Sequence, residues 1–226
     1  MSIFSTIKLL HKINFWKTVY FNFHYLPFTK AILFPIFIYK RSVLYLMEGR
    51  IVIDAPINTG MLKFGCHNIG TQDSLYTRTI WEVSGTLIIK GKVNIGQGSK
   101  INIAKDAILT LGEKFIITGS SQINCHKQIT FGKQCLLSWD ILIMDTDFHK
   151  IYNEDGQIIN SPKSISIGNH VWICSRNIIL KGVTIGDNNI ISANSTITKS
   201  IHDSNCVISG HGKTLEIVKR GIYWEL

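Results

Sequence analysis

Isoleucine recurs at every sixth position along the segment that ends near residue 200. The positions concerned are Ile167, Ile173, Ile179, Ile185, Ile191 and Ile197. An α-helix repeats its apolar residues about every 3.6 positions and a half-buried strand every second position, so neither explains a spacing of six. A fixed spacing sustained over this length indicates an internal repeat built from short structural units.

The same rhythm appears in shorter fragments earlier in the chain. These fragments comprise Ile89, Ile95 and Ile101, then Leu111, Ile117, Ile123 and Ile129, then Phe131, Leu137 and Ile143. Each fragment is out of phase with the next by a few residues, as small insertions at corners would produce. Glycine often follows the repeating apolar residue, as in Ile95-Gly96 and Ile185-Gly186. Because glycine readily adopts positive φ, we expect these glycines to turn the corners of the repeat.

A triangular coil of short strands satisfies this pattern. Three strands of about six residues make one turn, and successive turns stack about 4.8 Å apart through parallel backbone hydrogen bonds. The repeating isoleucines point inward, so each contacts its equivalent in the turns above and below. The ends of such a stack need covering by terminal caps. We therefore predict an all-β fold, a parallel β-helix, whose hand the period does not determine.

The composition of the chain changes along its length and predicts three parts. Residues 1–48 are rich in aromatic side chains and are expected to form a short helical cap. Residues 49–212 carry the repeat and are expected to form the coil. Residues 213–226 are expected to form a tail that covers the other end.

The N-terminal segment "FNFHYLPFTKAILFPIFIYKR" is apolar enough to raise the question of a membrane. Its uncharged run, residues 31–39, has nine residues and contains Pro35, whereas a spanning helix needs about 20. The segment also lacks the features of a secretory signal. We expect it to pack on the end of the coil. The alternative is peripheral contact with a membrane, in which Lys30, Lys40 and Arg41 meet anionic lipid.

Composition limits the remaining classes of protein. With 226 residues, 45% hydrophobic and 17% charged, the chain is globular and long enough for one domain with appendages. The formal net charge of +9 predicts an anionic partner without selecting its kind. Five cysteines without a CxxC motif argue against a disulfide framework or a zinc ribbon, and the histidine spacing predicts no metal site. We expect a reducing, cytoplasmic setting, with association at a membrane as the alternative.

The repeat is interrupted once by a long polar segment. After Ile143 the sequence "DTDFHKIYNEDGQIINSPKS" intervenes before Ile165, and excursions from a rigid scaffold commonly carry function. His149 lies near its start, six residues after Ile143, so we expect it on the next strand. Histidine, with an unperturbed pKa of about 6.5, is suited to accept a proton near neutral pH. The alternative is a corner histidine whose ring is satisfied by backbone groups.

An acidic residue near His149 is expected to orient its ring. Asp147 precedes it by two residues, so in an extended segment both side chains would lie on one face. A carboxylate in that position fixes the imidazole tautomer and stabilises the protonated ring. Asp145 is the nearest rival for this role, and the backbone is a further alternative.

Three stretches resemble motifs of the hexapeptide-repeat acyltransferases. They are "VWIC", "GVTIGDNNIISANSTITKS" and the "DTDFH" that opens the polar segment. The resemblance extends over residues 49–220 and is strongest after Leu137. It implies a left-handed parallel β-helix, a hand that the usual preference for right-handed crossovers would not predict. Among the branches of the family, the chain looks most like the polysaccharide and sugar O-acetyltransferases of capsule and lipopolysaccharide synthesis.

The resemblance also implies a reaction and the residues that perform it. The reaction is acetyl transfer from acetyl-CoA to a saccharide hydroxyl, without a covalent enzyme intermediate, metal or nucleic acid. His149 corresponds to the catalytic base, and Trp172 to a tryptophan beside the active site, with packing at a subunit interface as its alternative role. The positions that correspond to the CoA site are Ser175, Ala193, Thr198 and Lys199, with Lys219 and Arg220 near the adenosine phosphates.

Each CoA position has a chemical reason within this resemblance. Ala193 is small enough for the pantetheine arm to lie against the coil, and Lys199 offers a compact charge to phosphate. The family's groove lies between neighbouring coils, so a cyclic homotrimer is expected. The chain departs from the family in having Cys174 in place of a glycine, and "SGHGKTLEIVKR" in place of a proline-containing stretch.

Two other classes of function remain open from the sequence. One is an N-acetyltransferase acting on an amino-sugar nucleotide, or a serine-type acetyltransferase. The other is a scaffold without catalysis, or a metal enzyme similar to carbonic anhydrase. His149 within its loop argues against a scaffold, and the lack of a three-histidine set argues against the metal enzyme.

Overall fold

The computed structural model describes residues 11–67 and 69–225. Within them, 22 strands form three sheets of nine, seven and six strands, and up to residue 197 the chain visits the three sheets in rotation. Every pairing between these strands is parallel except the last, where β22 (Glu216–Arg220) runs antiparallel to β21 (Cys206–Ser209). The predicted all-β parallel β-helix is confirmed.

The strands of each sheet are spaced three apart in the chain, except for the last two strands of the first sheet. The first sheet contains β1 (Ile36–Ile38), β4 (Leu62–Cys66), β7 (Val93–Gly96), β10 (Phe115–Gly119), β13 (Leu136–Trp139), β16 (Trp172–Ile173), β19 (Ile190–Ile191), β21 (Cys206–Ser209) and β22 (Glu216–Arg220). The second contains β2 (Ser42–Met47), β5 (Thr79–Val83), β8 (Lys100–Ile103), β11 (Gln122–Cys125), β14 (Leu142–Met144), β17 (Ile178–Leu180) and β20 (Thr196–Ile197). The third contains β3 (Arg50–Ile53), β6 (Thr86–Ile89), β9 (Ile108–Leu111), β12 (Gln128–Phe131), β15 (Ile165–Ile167) and β18 (Thr184–Ile185).

The core consists of apolar columns that run along the axis of the coil. In the second sheet, register pairs successive members of one such column, Ile101, Ile123, Ile143, Ile179 and Ile197. All five side chains are buried. The six-residue period in the sequence therefore marks inward-pointing positions, as predicted, and burial of these columns is the main source of stability.

The glycines that follow the repeating apolar residues have a different role from the one expected. Gly96, Gly112 and Gly186 do not have positive φ. A Cβ atom on any of them would collide with a backbone carbonyl oxygen of the next turn. Positive φ occurs instead at other residues of varied type, among them Lys114, Gln134, Asn188 and Asn194. These glycines thus permit close stacking of successive turns.

The coil begins at Ile36, before the boundary expected at residue 49. Strands β1, β2 and β3 pair with β4, β5 and β6 and form a complete first turn. The first two turns lack the six-residue rhythm. Strand β2 contains an irregularity between Leu44 and Leu46, and the second turn buries the large aromatic side chains of Phe64 in β4 and Trp81 in β5.

In the part of the N-terminal segment that the structure describes, two short helices precede the coil, α1 (Phe15–Tyr25) and α2 (Phe28–Ala31). One face of α1 covers the end of the first turn. Phe21 is fully buried with its ring 5.0 Å from that of Trp81, whose indole donates to the Tyr25 hydroxyl at 2.9 Å. The Asn22 amide donates to the carbonyl of Ile36 at 2.7 Å. Among the described residues, no helix is both long and apolar enough to cross a membrane.

The C-terminal segment folds back along the side of the coil. A 3₁₀ turn (Gly212–Thr214) leads into β22, which extends the first sheet. Trp224 is then buried against the ring of His170, stacked at 4.0 Å, and donates from Nε1 to the His170 carbonyl at 3.0 Å.

Candidate active site

The polar loop leaves the coil at a corner between the second and third sheets. It begins after β14 and ends before β15. At its start, the buried carboxylate of Asp145 accepts hydrogen bonds from three successive backbone N–H groups, those of His126, Lys127 and Gln128, at 2.7–2.8 Å. Asp145 was the rival candidate for orienting His149, but its carboxylate instead bonds the start of the loop to the preceding turn.

The far end of the loop is also bonded to the coil. The backbone N–H of Lys163 donates to the Asp145 carbonyl at 3.0 Å, and that of Gly182 donates to the Lys163 carbonyl at 3.0 Å. Between these ends, an isolated bridge joins Tyr152 and Ile158. The loop is thus a closed excursion with both ends anchored at one corner.

A polar network organises the middle of the loop. Lys181, at the corresponding corner of the next turn of the coil, forms an ion pair with Asp147 and donates to the Asn160 carbonyl at 2.7 Å. The Asn160 side chain donates to Asp147 at 2.9 Å and to the carbonyl of His149 at 2.7 Å. The hydrogen bond from Lys181, more than that from Asn160, lowers the pKa of Asp147 below its usual value. Asp147 is therefore held ionised and fixes the loop to Lys181.

His149 is presented to solvent by this network. Its backbone N–H donates to the Asp147 carbonyl at 2.7 Å and its carbonyl accepts from Asn160. In the described part of the chain its ring has no hydrogen-bond partner, and the side chain is exposed. The expectation that His149 lies on the next strand is wrong, because the chain leaves the coil at Asp145 and the next strand starts only at Ile165.

Asp147 does not orient the imidazole as expected. Phe148, between the two residues, adopts a left-handed φ of 61°, so the segment is not extended and the two side chains do not share a face. The Phe148 ring lies 4.8 Å from that of His126, edge to face. The carboxylate of Asp147 instead contacts Lys181 and Asn160.

Trp172 lies on a different side of the coil from His149. It is half-buried in β16 of the first sheet, where its indole donates to the Ser138 hydroxyl at 3.1 Å. Its ring is 5.8 Å from that of Trp224 in the C-terminal segment. Because the loop leaves from the corner between the other two sheets, a single chain does not bring these two residues together.

The residues matched to the CoA site occupy two separate corners. Ser175 and Ala193 lie one turn apart at the same corner. There the Asn194 N–H donates to the Ser175 carbonyl at 3.0 Å. Thr198 and Lys199 follow β20, at the corner that also carries Lys181. Ala193, Thr198 and Lys199 are exposed.

The last two matched residues, Lys219 and Arg220, lie in β22 at the end of the first sheet, with both side chains exposed. Arg220 pairs with Asp203 at 2.6 Å and lowers the pKa of that carboxyl. The structure therefore brings Lys199 to the corner of the His149 loop, and leaves Lys219 and Arg220 in the terminal segment.

Asn160 and Lys181 were not identified from the sequence. The available signal was the 18-residue interval between Lys181 and Lys199, which is one coil of the repeat. It places the two lysines at equivalent corner positions of successive turns.

Cysteine and metal chemistry find no support at this site. Burial raises the pKa of Cys135 to about 11, and it also raises the pKa of Cys174, so both thiols are protonated near neutral pH. Among the residues that the structure describes, no three histidine, cysteine, aspartate or glutamate side chains are grouped so as to hold a metal ion.

Comparison with known proteins identifies similar chains. Residues 164–199 match the family described as bacterial transferase hexapeptide (six repeats). The chain is 31% identical to the galactoside O-acetyltransferase of Escherichia coli K12 over 62% of this chain and 64% of that protein. It is 42% identical to the polysialic acid O-acetyltransferase of Neisseria meningitidis over 43% of this chain and 46% of that protein. It thus spans less than two thirds of the length of either relative.

A solved structure has the same fold. The polySia-specific acetyltransferase NeuO superposes with a TM-score of 0.51 and 19% identity, over 82% of this chain and 89% of that one. At this identity the likeness concerns the fold alone. The resemblance that the sequence predicted is confirmed: the chain has the hexapeptide repeat and the left-handed parallel β-helix of the hexapeptide-repeat acyltransferases.

Proposed function

We propose that this protein transfers an acetyl group from acetyl-CoA to a hydroxyl group of a saccharide, with His149 as general base. The supporting observation is the loop that interrupts the coil and carries an exposed imidazole on a fixed backbone. Among residues 11–67 and 69–225 the ring of His149 has no hydrogen-bond partner, and a surface histidine on a loop anchored by Asp145 and Lys181 is suited to contact a substrate. The relatives named as O-acetyltransferases of galactoside and polysialic acid support the same class of reaction.

In this proposal, His149 accepts the proton of the acceptor hydroxyl as its oxygen attacks the thioester carbonyl. A carbon–oxygen bond forms, the carbon–sulfur bond breaks, and the protonated ring returns the proton to the sulfur that leaves. Asp147 is a positioning residue, since it holds the loop through Lys181 and Asn160 without contacting the ring. The protonated state of Cys174 is consistent with direct transfer rather than with an acylated enzyme.

Acetyl-CoA is the anionic co-substrate in this account. Lys199 and Thr198 are exposed and lie one turn of the coil from Lys181. They would contact the cofactor near the His149 loop. Ser175 and Ala193 would line the pantetheine path at the neighbouring corner. Lys219 and Arg220 would lie near the adenosine phosphates, where Arg220 would have to exchange its partner Asp203 for phosphate.

We expect Lys199→Ala to raise the apparent Michaelis constant for acetyl-CoA more than it lowers kcat. A phosphate contact is made equally in the ground and transition states, so its loss weakens binding and leaves the chemical step unchanged. Steady-state kinetics with varied acetyl-CoA measure this. Lys90→Ala, which also removes an exposed lysine, is the matched control and should change neither constant. A defect in kcat alone would contradict the assignment of Lys199.

The separation of Trp172 from His149 supports a site shared between chains. If both residues contact the substrates, they must come from neighbouring copies, and a triangular coil offers flat faces for a closed ring of three. We therefore expect a homotrimer. Light scattering coupled to gel filtration measures the mass directly. A stable, catalytically active monomer would exclude a site built from two chains.

The proposed function is tested by an acetyl-CoA turnover screen against capsule-type saccharides, with release of the CoA thiol as readout. Turnover should require a saccharide with free hydroxyl groups. Turnover with an amino-sugar nucleotide or with serine alone would replace the proposal by an N-acetyltransferase or a serine-type acetyltransferase. Lack of turnover with every acceptor would favour a scaffold.

A further inference from the structure

The outward face of α1 is made of aromatic side chains. Phe15 and Trp16 are 62% and 77% exposed, and Tyr20 and Phe23 continue the same face toward the end of the helix. Phe28, at the start of α2, extends it with its ring 5.9 Å from that of Phe23. The opposite face of the same helix already covers the first turn of the coil. An exposed patch of this kind, here called the aromatic face, indicates a contact surface.

The charged side chains of the segment that carries the aromatic face are of one sign. The first 47 residues contain six lysine or arginine residues and no aspartate or glutamate. This segment therefore carries most of the formal net charge of +9. Of the six, Lys12, Lys30, Lys40 and Arg41 are exposed in the structure. A surface that combines aromatic side chains with unopposed positive charge is complementary to an anionic surface with an apolar interior.

A basic cavity adjoins the start of α1. It has a volume of about 350 Å³ and is lined in part by Lys12, Lys40, Arg41 and His67. Burial lowers the pKa of His67, and the charges of Lys63 and Lys12 lower it further. Phe15 lines a second cavity with Lys40 and Arg41, so the basic and aromatic parts are continuous.

We propose that the aromatic face and the adjoining basic cavity bind the surface of an anionic lipid bilayer. Trp16, Tyr20 and Phe23 enter the interfacial region, while Lys40 and Arg41 contact lipid phosphates. Two copies of the chain meeting through this surface would bring like charges together without an acidic partner, which favours lipid over self-association. The binding is independent of the proposed acetyl transfer and needs neither acetyl-CoA nor acceptor.

Sedimentation with vesicles tests the proposal directly. The full chain, without acetyl-CoA or acceptor, is mixed with vesicles of phosphatidylcholine alone or of phosphatidylcholine with phosphatidylglycerol. We expect binding to the anionic vesicles, weakened by salt, and little binding to the neutral ones. Lys40→Gln with Arg41→Gln should weaken binding roughly 25-fold, because each basic residue near an anionic surface contributes about fivefold. Lys90→Gln with Lys92→Gln is the matched control.

The aromatic contribution is tested by a second pair of variants. Trp16→Ser with Phe23→Ser should reduce binding at every salt concentration. Val218→Ser with Tyr223→Ser, which are also exposed but lie at the other end of the coil, should leave it unchanged. Circular dichroism checks that each variant remains folded. The proposal is overturned if wild-type protein does not sediment with anionic vesicles, or if the control pairs weaken binding as much. It is also overturned if the aromatic variants instead reduce the oligomer mass without lipid, since a second copy then covers the face.

Discussion

Replacement of His149 by alanine should lower the rate of acetyl transfer by about 10²- to 10⁴-fold while leaving the fold and acetyl-CoA binding intact. This corresponds to roughly 3 to 5 kcal/mol of transition-state stabilisation. The physical reason is local. The loop is held through the backbone of His149 and through the side chains of Asp147, Asn160 and Lys181, whereas the imidazole itself is exposed. The substitution therefore removes proton transfer and little else.

The pH dependence separates a base from a structural residue. The wild-type rate should rise with pH as the general base loses its proton, and the variant should lose this limb. His149→Asn should be nearly as inactive as His149→Ala, because an amide can hydrogen-bond the acceptor but cannot take its proton. His202→Ala, which removes another exposed histidine, is the control. Turnover of His149→Ala within about threefold of wild type would exclude the proposed mechanism.

Asp145→Ala should destabilise the protein by roughly 3 to 5 kcal/mol. The buried carboxylate accepts three backbone N–H groups, and a hydrogen bond to a charged group contributes about 1.5 to 3 kcal/mol. Alanine leaves these three donors without a partner. Urea denaturation at fixed protein concentration measures the loss, because an oligomer's stability depends on concentration.

Two further variants test the role of Asp145 as an anchor of the loop. Asp155→Ala, at the exposed tip of the same loop, should change stability by less than about 0.5 kcal/mol. Asp145→Asn should fall between alanine and wild type, since an amide oxygen still accepts but carries no charge. If Asp145→Ala kept full stability and lost activity alone, the residue would be an orienting group of the reaction rather than an anchor of the loop.

The apolar columns of the core were predictable because each inward-pointing side chain packs against its equivalents in the turns above and below. A residue such as Ile143 must contact the equivalent residue of adjacent turns, so the period alone identifies it. The first turn was not predictable in this way. Its second strand contains an irregularity between Leu44 and Leu46, and the next turn buries Phe64 and Trp81 at positions that follow no six-residue spacing.

The side-chain arrangement inside the polar loop could not be predicted from the sequence, because it depends on a contact between residues that are far apart along the chain. Lys181 reaches Asp147 across 34 positions, and the left-handed φ of Phe148 separates Asp147 from His149. A local rule for extended chains therefore predicted the wrong partner for Asp147. The position of His149 at the interruption was predictable, since a break in a regular repeat is visible in the sequence.

The N-terminal segment packs on the end of the coil as expected, and its contact with a membrane stays a proposal. Its inward face, with Phe21 and Asn22, covers the first turn. Its outward face exposes Trp16 and Tyr20. Composition alone could not distinguish the two faces, because both are aromatic.

The most direct test of the central claim is the chemical nature of the product. The protein is incubated with acetyl-CoA labelled in the acetyl group and with a saccharide acceptor identified by turnover, and the label on the saccharide is followed before and after mild alkali. The account predicts that label passes to the saccharide and is released by alkali, as an ester of a hydroxyl group must be. Label that resists alkali, as an amide does, or label that never reaches a saccharide, would contradict it.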